Sequence, residues 1–263
     1  AALAGCSDDD GAADATAAPT TEAATSVDTA APVTETVAPE TVAPDTAAPT
    51  TTTADAAGVW ETVTAPADCM CSDGSEFRYF VRRADPTKVV FFLEGGGACF
   101  SAETCDPQSQ TYKRTVGFEG GFGSDGDPSG IFDFSNPMNP FANYSFVFVP
   151  YCTGDLHAGT QVHTYDYFGP KIANHVGGLN MAAYLAKVKP LLPNVKRVIL
   201  MGISGGGFGA SLNWWRVREA FGPNVRVDLL DDSGPLMEVA GDGRWGTMKA
   251  AWTLATPPDC TDC

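Results

Sequence analysis

The sequence has little positive charge and places none of it early. Lys and Arg number 16 against 32 Asp and Glu, the formal net charge is −16, and no Lys or Arg occurs before Arg78. That balance argues against nucleic acid or an anionic membrane surface as a partner, because both demand basic patches. No run of about 18 apolar residues exists, so nothing has the pattern of a bilayer-spanning helix. No aromatic residue precedes Trp60. Histidine is scarce: His157, His163 and His175 are the only three, and all precede Ser204.

From Ser7 to Gly58 the chain is built mainly of Ala, Thr, Pro, Asp and Glu, with a tandem repeat at Thr36–Glu40, Thr41–Asp45 and Thr46–Pro49. Such a segment has too little apolar surface to offset the entropy of ordering it, so 7–58 is expected to be a disordered linker. As a flexible coil it would span roughly 40 Å, and prolines would lengthen that. This suits a stalk, although a tail with no spacing role has the same composition. Ahead of it, Leu3-Ala4-Gly5-Cys6 resembles a bacterial lipobox, in which the Cys is lipidated and becomes the mature N-terminus. On that reading residues 1–6 end a lipoprotein signal peptide whose earlier part lies upstream. Cys6 is then the lipidation site. The protein is expected to be exported and lipid-anchored at the bacterial cell surface or the periplasmic face of the membrane, touching membrane only through that lipid.

The chain has eight cysteines, which agrees with an oxidising compartment. Cys69, Cys71, Cys99, Cys105, Cys152, Cys260 and Cys263, the set without Cys6, are odd in number, so one is free or pairs outside this sequence. Metal ligation by Cys69 with Cys71 and Cys260 with Cys263 is the competing reading. No His accompanies these pairs at zinc-finger spacing, and disulfides are preferred to metal.

Residues 59–263 suffice for one domain with a sizeable core. Phe77–Val81 alternates as a strand does. Val89–Leu93 is a continuous apolar run, as expected of a strand buried on both faces, and Tyr144–Val149, Val195–Met201 and Val225–Leu230 are read as further buried strands. Asn174–Leu192 and Gly205–Phe221 carry helical spacing, and Pro193 and Gly222-Pro223 mark their ends. Strands alternating with helices predict an α/β fold with a mostly parallel sheet flanked by helices. Between Cys99 and Asn143 periodicity fails. A connection that long is usually functional, and here it is expected to help wall a cleft.

Gly202-Ile203-Ser204-Gly205-Gly206 matches G-x-S-x-G between a buried strand and a helix, where a nucleophile elbow must sit. The tight turn exposes the Ser Oγ and aims the helix N-terminal amides at a developing oxyanion. A glycine-rich turn with a solvated Ser, or a phosphate loop, is the plainer alternative. A phosphate loop would want a Lys or a second Gly pattern in the first βα unit, and neither is present. Gly95-Gly96-Gly97 follows the Val89–Leu93 strand, where esterases place an oxyanion amide, with Glu94 in place of the usual His. The amide of Gly205 would be the second donor.

These motifs, taken in order, resemble one family. Leu93–Cys99 (LEGGGAC), Cys105-Asp106, Val149–Asp155 (VPYCTGD), Gly202–Gly206, Asp232-Ser233-Gly234 and the earlier Cys71–Ser75 turn look like the pectin acetylesterase family, which includes the animal lipid deacylase Notum. The resemblance covers about Cys71 to Cys263. It implies an α/β-hydrolase-type fold, ester hydrolysis at Ser204 without a cofactor, and oxyanion donors at Gly96, Gly97 and Gly205. It also suggests the pairs Cys71–Cys152 and Cys99–Cys105. The chain departs from the pattern at Gly97, where an aromatic residue is common, and at Gly205, where Ala is common. The first departure leaves substrate preference open.

In α/β-hydrolases the order is Ser, acid, His. Asp232 resembles the family's structural turn near the site rather than the acid, so acid and His are expected beyond Cys263, and the domain incomplete at that end. Residues 1–263 alone are then expected to be inactive. Asp155, His157 and Asp232 are the substrate-cleft candidates, whereas His163 and His175 have no expected role. The expected activity is serine carboxylic ester hydrolysis, with O-deacetylation of a polysaccharide such as pectin foremost and another ester as the variant. A non-catalytic surface-binding lipoprotein on the same fold is the alternative. A monomer is expected.

Overall fold

The computed structural model describes residues 58–117, 129–235, 241, 243–258 and 260. The chain divides at Thr51, and the described residues all belong to its second unit, Thr52–Cys263. The lipobox, the repeat segment up to residue 57, and Cys263 lie outside the described residues, as does part of the expected cleft wall, 118–128.

Among the described residues, eight strands and three α-helices follow in the order β1 (Trp60–Thr64), β2 (Arg78–Arg82), β3 (Asp85–Leu93), β4 (Tyr144–Val149), β5 (Gln161–Asp166), β6 (Pro170–His175), α1 (Gly177–Leu191), β7 (Arg197–Ile203), α2 (Gly205–Phe221), β8 (Arg226–Asp232) and α3 (Arg244–Trp252). Six strands form one sheet in the order β1-β2-β4-β3-β7-β8, and β5 pairs with β6. β4, β3, β7 and β8 run parallel, while β2 and β1 are antiparallel additions.

Alternation along the strands divides the core. Val89, Phe91 and Leu93 of β3, with Val147, Val149, Val198 and Leu200, meet Met181, Tyr184, Leu185 and Val188 of α1 and Ala210, Val217 and Phe221 of α2. Val90, Phe92, Phe146, Phe148, Ile199 and Met201 face the other way. There the cover is a short 3-10 turn, Gly130–Phe132, and the segment after it, which supply Ile131, Phe132, Phe134 and Phe141. Phe132 stands edge-on to Phe92 at 5.0 Å, and Phe92 stacks on Phe148 at 5.6 Å. The described parts of the Cys99–Asn143 connection divide between two places: Thr111–Lys113 lie against the glycine run before the elbow, and Ile131–Phe141 carry this aromatic cover.

Two readings are corrected. The helix read from Asn174 begins at Gly177, because Asn174 and His175 end β6. The Asp155 carboxylate accepts the Gly177 amide at 2.7 Å and so fixes the first turn from 22 residues away. Val225–Leu230, read as buried on both faces, overlaps β8, which starts at Arg226 and is an edge strand among the described residues, with Leu229 and Leu230 each 42% exposed. Disulfides join Cys71 to Cys152 and Cys99 to Cys105, while Cys69 is a buried free thiol that burial pushes up to about 11. No helix among the described residues is long and apolar enough to cross a membrane.

Candidate active site

β7 runs out of the core at Ile203, and α2 starts two residues later. The residue between them, Ser204, has φ 53° and ψ −122°, a backbone state that a residue with a Cβ holds only under constraint. The constraint is visible. Its amide donates to the Asp232 carbonyl at 2.9 Å, and its own carbonyl accepts from Gly207 at 2.9 Å and Phe208 at 3.2 Å. Ser204 is the N-cap of α2, yet its Oγ makes no capping bond, and the residue is exposed. The hydroxyl is thus held at the mouth of the sheet with no internal role.

The glycines around it are there for clearance. A Cβ on Gly202 would collide with Gly206, and one on Gly206 with the Leu93 carbonyl. α2 therefore accepts glycines in its first turns, each weakening a helix by roughly 0.5–1 kcal/mol, so that it can lie against the end of β3. Gly95 lies against Ser204: a Cβ there would stand 3.0 Å from the Ser204 Cβ. Gly97 has φ +78°, and any side chain on it would run into the Thr111 carbonyl. The Gly97 carbonyl in turn lies 3.1 Å from where a Cβ on Gly205 would sit. The two departures from the expected motif are thus one arrangement, since the tucked Gly97 loop leaves little room for Ala at 205.

The amides of Gly96, Gly97 and Gly205 have no hydrogen-bond acceptor among the described residues, and the Gly96 nitrogen is 3.5 Å from that same position on Gly205. N–H groups without an acceptor beside an exposed serine are the chemistry that binding an oxyanion requires.

Glu94 opens the glycine run. Its carboxylate accepts the Tyr151 amide at 3.0 Å and pairs with the Lys113 ammonium. The Lys113 amide donates to the Gly96 carbonyl at 2.9 Å, and Gly97 forms an isolated bridge with Tyr112. Sequence reasoning missed Lys113. It reaches the site only because the chain folds back after the Cys99–Cys105 disulfide, and no local pattern marks that.

Of the three cleft candidates, only Asp232 is exposed; it holds Ser204 through its main chain, and its side chain accepts the Ser233 hydroxyl at 2.8 Å. Asp155 is fully buried, accepting from Thr153 Oγ at 2.5 Å, Gly159 N at 3.1 Å and Gly177 N at 2.7 Å. His157 is buried beneath the glycine loop, where its Nε2–H donates to the Glu94 carbonyl at 2.9 Å. His175 donates from Nδ1 to the Thr153 carbonyl at 3.0 Å and accepts the Tyr165 hydroxyl at 3.0 Å, and His163 stacks on Tyr165 at 4.3 Å. None of the three is hydrogen-bonded to Ser204. Burial holds the pKa of both His157 and His175 below the ordinary imidazole value. Cys99, Cys105 and His175 converge as metal ligands would, but the two sulfurs are bonded to each other.

The family model described as Pectinacetylesterase matches residues 53–254. The chain belongs to the pectinacetylesterase family. Its relatives include the palmitoleoyl-protein carboxylesterase notum2 of Xenopus laevis, 32% identical over 171 residues, covering 62% of this chain and 34% of that protein. The human palmitoleoyl-protein carboxylesterase NOTUM is 31% identical over 174 residues, with 62% and 34% covered. The chain thus spans about a third of the length of these curated relatives. The crystal structure of the Wnt deacylase Notum from Drosophila superposes with a TM-score of 0.58 at 22% identity, over 76% of this chain and 62% of that one. The fold is therefore of the α/β-hydrolase type that the pectinacetylesterase motifs imply.

Proposed function

We propose that this protein is a serine carboxylic ester hydrolase in which Ser204 attacks the ester carbonyl. One observation carries the reading: a strained, exposed serine lies beside a glycine run and a helix start whose three amides have no acceptor among the described residues. In the mechanism, the Ser204 Oγ adds to the carbonyl carbon and the carbonyl oxygen takes up negative charge among Gly96, Gly97 and Gly205. Collapse expels the alcohol and leaves an acyl-serine, which water hydrolyses by the reverse sequence. These donors contribute because they are in place before charge develops. A serine hydroxyl is a weak nucleophile at neutral pH and needs a base. We assign acid and base to elements that follow β8 in the natural protein, in keeping with the Ser-acid-His order of this fold class and with the engagement of His157 and His175 elsewhere.

For the substrate we favour an O-acetyl group on a polysaccharide such as pectin. The relatives named for palmitoleoyl-protein hydrolysis make a longer acyl group the variant. We further place the protein outside the cytoplasm, tethered through a lipid on Cys6, and two disulfides support an oxidising compartment. Acetate release from acetylated pectin, measured beside hydrolysis of p-nitrophenyl acetate and p-nitrophenyl palmitate by the natural full-length protein, tests the reading. Faster turnover of the acetyl substrates is expected. Turnover of palmitate alone would move the assignment to lipid deacylation, and no turnover of any ester would leave a binding protein on this fold.

A further inference from the structure

The first half of the oxyanion hole is a run of three glycines, which have no side chains with which to hold themselves in place. Polar contacts to the main chain must do so. On the outer side the contact is the Lys113 amide on the Gly96 carbonyl. On the inner side it is the His157 Nε2–H on the Glu94 carbonyl, 63 residues away in sequence.

His157 is itself fastened to α2, which carries the other half of the hole. Asn213 Nδ2 donates to the His157 carbonyl at 3.0 Å and to the Gly209 carbonyl at 2.9 Å. Gly209 leaves room for the ring: a Cβ there would sit 2.8 Å from His157 Cδ2. The imidazole centroid is 4.8 Å from that of Tyr151, whose ring edge presses on Gly96 and whose hydroxyl accepts the Leu156 amide at 2.9 Å. Leu156 and His157 both have positive φ, 55° and 58°. Two successive left-handed residues with side chains are a strained arrangement, of the kind that persists where a surrounding structure imposes it at a functional site.

We propose that His157 is a positioning residue, which ties the Glu94–Gly97 loop to α2 and so fixes the distance between the Gly96 and Gly97 amides and the Gly205 amide. The inference rests on the esterase reading above. It also fixes the tautomer, because a carbonyl can only accept: the proton is on Nε2. Burial keeps the ring neutral in that form. A histidine that merely filled space would be replaceable by a ring of similar size, whereas a positioning histidine is replaceable by another N–H donor.

The test is a crossover of two variants in the natural full-length protein, with p-nitrophenyl acetate as substrate. His157→Phe keeps a ring and removes the donor; His157→Gln removes the ring and keeps an N–H at similar reach. The expected result is a fall in kcat on the order of 10- to 100-fold for His157→Phe with little change in KM, as for misplaced catalytic groups generally, and recovery of most of that loss in His157→Gln. Wild-type kcat in His157→Phe, or a lower kcat in His157→Gln than in His157→Phe, would overturn the proposal. Should His157→Phe fail to fold, which its melting curve will reveal, the imidazole ¹⁵N shifts of the wild-type protein decide. An Nε2–H tautomer supports the proposal, and an Nδ1–H tautomer overturns it. A wild-type protein that turns over no ester overturns the esterase reading itself and this inference with it.

Discussion

Ser204 keeps φ at 53° although a residue with a Cβ is disfavoured there by about 1–3 kcal/mol. On the proposed esterase reading, that strain is retained because the hydroxyl is useful where the backbone puts it. Ser204→Gly should therefore stabilise the fold, by about 1 kcal/mol in equilibrium denaturation, while removing the nucleophile. A loss of stability in that variant would mean that the turn is not strained. At this scale the sequence was informative wherever chemistry is local. Ser204, Gly96, Gly97 and Gly205 stand in short motifs whose spacing carries the geometry. Lys113 does not, and His157 was read from its place beside Asp155 as a cleft residue, because no local pattern shows that its ring reaches the Glu94 carbonyl 63 residues away. Gly97 is an intermediate case: its lack of a side chain was visible, but the reason, the Thr111 carbonyl, was not.

Among the elements, long apolar runs were the most legible, because burial on both faces needs nothing but hydrophobic side chains. β4 and α2 follow the runs Tyr144–Val149 and Gly205–Phe221, and β3, β7 and β8 differ from theirs only at the ends. Four elements left weaker traces. β1 is short and half-buried, the β5–β6 hairpin mixes polar and apolar residues on its outer face, and α3 is recruited by Trp252, whose Nε1 donates to the Cys99 carbonyl at 2.7 Å. The start of α1 was misplaced because its anchor is Asp155 rather than a neighbouring cap. That anchor is testable: Asp155→Ala strands the Thr153 hydroxyl and the Gly159 and Gly177 amides in a dry interior. A loss of about 2–4 kcal/mol in stability is expected from unpaired buried donors, read as a lower denaturant midpoint. An unchanged midpoint would show that water replaces the carboxylate.

Across the whole molecule, the Cys71–Cys152 bridge spans 81 residues and ties the segment before β2 to the loop after β4. Chain-entropy arguments assign such a loop about 4 kcal/mol, so replacing both cysteines by Ser should lower the melting temperature by roughly 10 °C. The buried imidazoles give a second global signature. His157 and His175 are neutral in the fold with lowered pKa, whereas in the unfolded chain they take protons below about 6.5. Below that value the unfolded state binds more protons, so their contribution is complete above about pH 6.5 and is lost as the pH falls through the folded values. Melting temperature should therefore drop between pH 7 and pH 5, and His175→Gln should flatten the drop. A flat profile in the wild-type protein would contradict burial of these rings as neutral species.

The expectations about activity depend on Ser204 being the nucleophile. The most direct measurement exposes the natural full-length protein to a fluorophosphonate, maps the adduct by peptide mass spectrometry, and compares ester turnover in wild type and Ser204→Ala. The account predicts a single adduct on Ser204, none in the variant, and a turnover lower by on the order of 10⁴-fold or more. An adduct on another residue, or wild-type turnover in Ser204→Ala, would contradict it.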